Sequence, residues 1–498
     1  MSLLGLDVGT TGTKAVVFRS DGQILAEAYR EYWESFPQPG WVELNPQEIW
    51  AAVQEVLQKV NLAAAGDPVK AMSFSILGEA VTPVDKDGNF LYNAVTSPDS
   101  RSSPQTEAWL KKLSKLEIFQ ITGMALHPSY SLNKVIWFKE ERPEIYRKAW
   151  KFLLVEDLLF YLFGLPPTID TSLAGRTMAL DVKERRWSKT ILELAGVEED
   201  KLAQVMPSGR VVGKMAQGTS KHLGFSQPPL VVTGAHDQPA NALGAGVIRE
   251  GMAVDVTGTV ECVTIVYDHP VLTQQMLDQN YSVYPYVKGD MYATIAFNYT
   301  GGNLLRWYRD NFADEERAQA AAEGKNIYEV ILRDLPEKPT GLLVLPHFVG
   351  TGTPHLDAGS KGAILGLTLA TSKKDFVKGL IEGVSYEIRH NLESLAEAGA
   401  GVERLRALGG GARSPVWLQL KADILNRPLA TINVPEAGCL GAAILAGVAT
   451  GEYSSLEEAT QLLIRETATY EPNPESARAY DELFDLYRQV YPAVRPLF

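Results

Sequence analysis

The feature that most restricts this chain is a strand–turn–strand unit met twice. Leu3–Val8 is an apolar run, Gly9-Thr10-Thr11-Gly12-Thr13-Lys14 a tight turn, and Ala15–Phe18 a second run. Later, Met252–Val256, Thr257-Gly258-Thr259 and Glu261–Val266 repeat the pattern. Short apolar runs bounded by glycine and hydroxyl residues predict β structure. The echo is weak as self-similarity, yet it predicts two related lobes with a boundary near Gly246–Gly251, hence domains 1–246 and 247–498. Length agrees, since 498 residues exceed the ~250–300 at which one core stops growing.

The rest of the chain alternates β and α. Gln23–Tyr32 reads as a third strand, and Asn45-Pro46 as the cap and first residue of a helix carrying Ile49, Val53, Val56 and Val60 at helical spacing. Ala71–Ile76 and Ala80–Asp85 are expected strands, with Lys86-Asp87-Gly88-Asn89 closing a hairpin. Residues 104–205 read as mostly helical. Leu230–Thr233 runs into Gly234-Ala235-His236-Asp237-Gln238 and an expected helix, Pro239–Ala245. Arg404–Leu408, Gly409-Gly410-Gly411 and a helix from Pro415 to Leu425 form a late strand–glycine–helix unit. The fold class is α/β.

Composition narrows the partners. The net charge of −13, without an offsetting basic run, argues against nucleic acid and anionic lipid. No apolar run approaches ~18 residues, so no membrane span is expected. Neither Cys262 nor Cys439 sits at metal or redox spacing, and both read as buried thiols. The N-terminus enters a strand directly, with no basic leader, which predicts a cytoplasmic enzyme.

Three places can carry chemistry. Asp7 ends a buried strand, a costly position for a carboxylate without a cation or donors. The turn after it offers backbone N–H groups and threonine hydroxyls, donors suited to phosphate, and a carboxylate beside them can hold Mg²⁺ through water. The turn joins two strands and lacks P-loop spacing, and a plain hairpin remains the alternative. Asp237 follows a strand and can accept a proton from a hydroxyl, or merely cap a helix. His236 beside it lacks the company of a metal or triad motif. Gly409-Gly410-Gly411 can lie against a nucleoside, or serve as a flexible joint.

In combination and order these elements resemble the FGGY carbohydrate kinases over nearly the whole chain. Asp7-x-Gly9-Thr10-Thr11-x-x-Lys14 is similar to the family's first phosphate motif. Ser129 to Phe138, with Lys134 and Trp137, is similar to its Lys-x-x-Trp signature. Gly362 through Glu382 resembles the second signature, with Gly379 where Ala or Ser is usual. Thr353-Pro354-His355 resembles a Thr-Pro-His stretch, with Gly350-Thr351-Gly352 replacing Gly-Glu-Arg. The resemblance implies a two-lobed ribonuclease H-like fold of the actin, hexokinase and Hsp70 type, with a cleft between the lobes. It implies ATP and Mg²⁺ as cofactors, Asp237 as general base, and Asp7 on the metal, through water. Thr10, Thr11, Gly12 and Lys14 would face the β/γ-phosphates from one lobe, and Thr257, Gly258 and Thr259 from the other. Gly301 and Gly302 would lie near the α-phosphate, and Gly410, Gly411 and Ser414 near the adenosine. A homodimer is expected by analogy alone.

For the acceptor, the resemblance points to Gly78, Glu79, Asp99, Asp237 and Gln238. Glu79 looks like the glycerol-kinase glutamate that binds substrate hydroxyls, with Gly78 in place of the neighbouring arginine; a solvated hairpin residue is the alternative. A carboxylate suits a neutral acceptor, whereas gluconate would want an arginine nearby. The expectation is a pentulose such as xylulose first, then glycerol, a tetritol or another ketose, then gluconate. A nucleotide switch of the actin or Hsp70 kind and a sugar-binding regulator are the rival classes.

Overall fold

The structure is a computed structural model that describes residues 2–498. Its first sheet contains β1 (Ser2–Val8), β2 (Gly12–Arg19), β3 (Ile24–Glu31), β4 (Val69–Ile76) and β5 (Leu230–Val232). Spatial order is β5-β4-β1-β2-β3, with Val211–Lys214 added beside β5 and Ala235–His236 paired to β4. The second sheet contains β6 (Gly251–Thr257), β7 (Glu261–Tyr267), β8 (Tyr292–Asn298), β9 (Val402–Gly409) and β10 (Leu429–Ile432). Its order is β10-β9-β6-β7-β8, extended at the two edges by Glu466–Tyr470 and Tyr284–Pro285.

The two sheets repeat one topology. In each, the first strand pairs antiparallel with the second and parallel with the fourth. The third strand is antiparallel to the second, and the fifth parallel to the fourth. The weak echo in sequence is thus a duplicated ribonuclease H-like unit. Strands β1 and β6 are almost wholly buried because helices cover both sheet faces, which is why they read as apolar runs rather than alternations.

Helix α1 (Pro46–Ala63) starts as expected, with the Asn45 side chain accepting from the Gln47 N–H and Ile49, Val53, Val56 and Val60 buried. Its successors here are α2 (Asp237–Gly244), α3 (Gly302–Phe312), α4 (Lys373–Ala398), α5 (Pro415–Leu425) and α6 (Ala437–Ala449). The expected strand Ala80–Asp85 is shorter, Thr82–Val84, and pairs with Lys151–Leu153. The turn at 86–89 returns through a single bridge, Val84 to Phe90, because the long-range partner takes the strand's edge.

Helix α6 crosses the expected division of the chain. It is apolar all round and buried, and it packs on β1 and β4 of the first sheet and on α2. Glycines set the approach: a Cβ at Gly5 would overlap the Cys439 carbonyl, and one at Gly441 the Ala240 carbonyl. Among the described residues, no helix is long and apolar enough to cross a membrane.

Candidate active site

The first turn is set by hydrogen bonds that close it at both ends. Gly9 N–H donates to the Gly12 carbonyl at 2.9 Å, and the Tyr32 hydroxyl donates to the Gly9 carbonyl at 2.6 Å. Thr10 and Thr11 stand exposed at its tip, and Gly12 is buried behind them. Asp7, registered beside Ser75 of β4, accepts from the Ser75 hydroxyl. Burial raises the Asp7 carboxyl above its ordinary value; the Ser75 hydrogen bond opposes this, and the Glu436 charge adds to it.

Lys14 does not point free into the cleft. It bonds Glu436, the residue before α6, at 2.6 Å, with both side chains partly exposed. Where the resemblance places a phosphate beside Lys14, that carboxylate would compete with it. A partly exposed pair is worth up to ~1 kcal/mol, about fivefold in binding. Glu436→Gln is therefore expected to lower the KM for ATP by about threefold to fivefold. Steady-state kinetics at fixed acceptor checks this, and an unchanged or raised KM contradicts it.

The second turn and the late glycines frame one cavity of about 740 Å³. Thr257, Gly258, Thr259, Gly302, Gly410, Gly411 and Ser414 all line it. Gly302 N–H donates to the Gly258 carbonyl at 2.8 Å, so α3 begins directly on the turn, and a Cβ at 302 would press on that carbonyl. Gly301 packs behind, against Val260. The glycine joint is not loose: Gly411–Arg413 is a single 3₁₀ turn, and the Ser414 side chain caps α5 by accepting from the Trp417 N–H. Asn303, Tyr328 and Leu332 also line the cavity and went unforeseen, since nothing local marks them.

Beneath Thr257 lies a buried charge cluster. Lys421 of α5 donates to Asp255 at 2.6 Å, to the Thr257 hydroxyl at 2.9 Å and to Glu261. Burial pushes Glu261 up to about 8, Lys421 opposing and Asp255 adding.

Asp237 sits at the first position of α2, with His236 as cap. The strand before it pairs with Ser75–Ile76, which also flank Asp7, so the chain delivers Asp237 beside the end of β1. Loss of solvent pushes its carboxyl up to about 7, and the charges of Asp7 and Glu79 add. One third of the side-chain surface stays open, 32%. Nε2 of His236 approaches Oδ1 to 3.0 Å without a directed hydrogen bond, leaving that oxygen unpartnered. Burial holds the His236 imidazole well below its ordinary value, hence neutral. Gln238 reaches toward Thr264 of β7, at 3.5 Å.

Glu79 is buried, 3% exposed, rather than solvated. Its backbone is left-handed, φ 61°, and its carbonyl accepts from Ser131 at 3.1 Å and Lys134 at 3.0 Å. This explains the signature lysine: it holds the loop that carries Glu79. The carboxylate pairs with Arg176, whose Nε donates to it at 2.7 Å. Burial alone would lower the guanidinium, but Glu79 outweighs it and raises it. Gly78 lies under His236 and leaves room for that ring.

Two expectations need correction. Asp99 does not face the acceptor: its side chain has no exposure, and both oxygens are taken by Arg101, one also by the Val42 N–H. Arg101 itself is stacked 3.9 Å over Trp41, so Asp99 is a brace for that loop. The replacement of an arginine by Gly78 does not leave the site without one, because Arg176 arrives from a short helix, Thr171–Gly175, far along the chain.

These groups fit a nucleotide and a divalent metal in two ways. The half-buried Asp7 carboxylate, with Ser75 as donor, and the unpartnered oxygen on Asp237 are oxygen ligands of the kind a hard cation takes. The cavity at the second turn has glycine walls, which let a phosphate approach the backbone closely.

Comparison with known proteins agrees. Residues 2–244 match the N-terminal domain, and residues 253–450 the C-terminal domain, of the FGGY family of carbohydrate kinases. The xylulose kinase of Bacillus subtilis (strain 168) is 27% identical over 498 residues, covering 99% of this chain and 97% of that protein. The gluconokinase of the same organism is 29% identical over 490 residues, covering 97% and 94%. A crystal structure of gluconate kinase from Lactobacillus acidophilus superposes with a TM-score of 0.90 at 25% identity, covering 99% and 98%. With both domains matched along its length and both lobes in place, the chain belongs to the FGGY family of carbohydrate kinases and is an ATP-dependent phosphotransferase with a carbohydrate hydroxyl as acceptor.

Proposed function

We propose that the acceptor is a small neutral carbohydrate, a pentulose of the xylulose type first, with Asp237 as the base on its hydroxyl. The observation that carries this is the Glu79–Arg176 pair beside Asp237. The arginine is already neutralised by Glu79, while Asp237 and Asp7 add negative charge. A carboxylate-bearing acceptor would meet an arginine already spent on Glu79. Hydroxyls instead find acceptors on Glu79 and Asp237 and donors on Arg176.

In the mechanism, Asp237 accepts the hydroxyl proton, and a pKa near 7 suits that task at neutral pH. Neutral His236 packs beside it and does not compete for the proton. Thr10, Thr11 and Gly12 from one turn and Thr257, Gly258 and Thr259 from the other face the phosphates, and Lys14 adds charge once released from Glu436. Gly301 and Gly302 border the α-phosphate, and Gly410, Gly411 and Ser414 the nucleoside. Asp7 would hold magnesium, which when bound neutralises developing phosphate charge. The protein thus supplies alignment and electrostatics.

An ADP-release assay over xylulose, ribulose, glycerol, erythritol and gluconate tests the reading. A pentulose is expected to give the highest kcat/KM, at least about tenfold above gluconate, the discrimination one unpaired polar contact provides. Gluconate as the best acceptor overturns the proposal; glycerol or erythritol as the best keeps the neutral class and corrects the sugar.

A further inference from the structure

Behind Asp237 lies a buried carboxyl network that the reaction itself does not use. Glu156 is completely buried and accepts two backbone N–H groups, Gly234 at 2.6 Å and Asp170 at 2.7 Å. Asp170, equally buried, accepts from the Ser172 N–H at 2.7 Å, the Ser172 hydroxyl at 2.6 Å and the Ser208 hydroxyl at 3.0 Å. The Ser172 oxygen in turn accepts from the His236 N–H at 3.0 Å. Two directions leave this network. One runs through Gly234 and His236 to Asp237, the next residue. The other runs through the Asp170 cap of helix Thr171–Gly175 to Arg176, which follows it.

We infer that Ser172, held by Asp170 and Glu156, is a positioning residue that sets the base Asp237 and the acceptor-side Arg176 relative to each other. The inference rests on Asp237 as the base. Two neighbouring buried carboxyls are an expensive way to satisfy four backbone N–H groups, those of Gly234, Asp170, Ser172 and Leu173. What they provide is a fixed frame. The loop before Asp237 has no other side-chain tie at Gly234 or His236 N–H, and the short helix bearing Arg176 is too brief to hold its own direction. A shift of either end alters the distance between the base and the Glu79–Arg176 pair, so one network governs both proton acceptance and acceptor binding. The nucleotide cavity, lined from the second lobe, lies outside its reach.

Ser172→Ala removes one oxygen and leaves the carboxyls in place. It is expected to lower kcat about 10–100-fold, the loss that a small misplacement of a reacting group brings. It should raise the KM for the acceptor and leave the KM for ATP unchanged. The same substitution on an Asp237→Asn background should lower kcat no further, because the group it aims is gone. Wild-type kcat and acceptor KM in folded Ser172→Ala, or an equal loss of kcat on the Asp237→Asn background, overturns the inference. If Ser172→Ala does not fold, Glu156→Gln, which turns an acceptor oxygen into a donor facing an N–H, is read by the same cycle with the same outcomes. Failure of the base assignment shows separately, as an Asp237→Asn enzyme with undiminished kcat; the acceptor KM of Ser172→Ala then decides the network by itself.

Discussion

Asp237→Asn should lower kcat by about 10²–10⁴, the contribution of a positioned general base, while the enzyme still binds ATP. The substitution keeps the volume and removes only the proton acceptor. It should not cost stability, because the carboxylate it replaces is crowded by Asp7 and Glu79. The pH profile gives the sharper reading. In the unaltered enzyme kcat/KM rises with pH through about 7, since the acid form of Asp237 cannot accept the hydroxyl proton. In the variant that acid limb disappears. Nucleotide affinity by calorimetry, together with kcat/KM between pH 5.5 and 9, checks both statements. A variant with full kcat, or one that retains the acid limb, assigns the base elsewhere.

Lys421→Met should be the most damaging change in the second lobe. It strips the ammonium from Asp255 and Glu261, all three side chains being at most 2% exposed. Removing one partner of a buried ionic cluster costs about 3–5 kcal/mol. The pH dependence has a definite sign. Without Lys421, the burial that lifts Glu261 above its unfolded value acts unopposed. That carboxyl then weakens the fold progressively as pH rises from the unfolded carboxyl range through the folded pKa, and costs nothing below the unfolded range. The loss in melting temperature should therefore shrink as pH falls from 8 to 5. Adding Asp255→Asn and Glu261→Gln to Lys421→Met should recover most of the stability at pH 8. Because Thr257 also leans on Lys421, the surviving protein should bind ATP more weakly. Thermal unfolding at three pH values tests this; a deficit that grows on acidification contradicts the charge argument.

What could be read from the sequence was whatever is local. The turn after Asp7, its echo at Thr257, the Asn45 cap and the strand leading into Asp237 are all marked by neighbouring residues, and each sits where expected. The α5 boundaries, Pro415 to Leu425, follow from proline at one end and the left-handed Asn426 at the other. What escaped was whatever depends on distant partners. Arg176 meets Glu79 across 97 residues, and Lys421 meets Glu261 across 160, with no periodicity to announce either. Asp99 failed for a related reason: a carboxylate in a loop reads as available until Arg101 and the Val42 N–H are seen to occupy it. For Glu79 the sequence left a solvated hairpin residue as the alternative to an acceptor-binding one, and only the distant partners Lys134 and Arg176 show that it is folded inward.

Helix α6 bears on how the protein is made. β1 emerges from the ribosome some 429 residues before Ala437, the first residue of the helix that seals it. Until then Gly5 and the small-residue face of α2 have no cover, so the nascent amino-terminal half is an unfinished body that must wait, exposed to chaperones and proteases, for the last stretch of translation. Contacts spanning that much chain make folding slow. Because α6 of the second half seals β1 of the first, neither half is a module that evolution or an experimenter can transplant without the other.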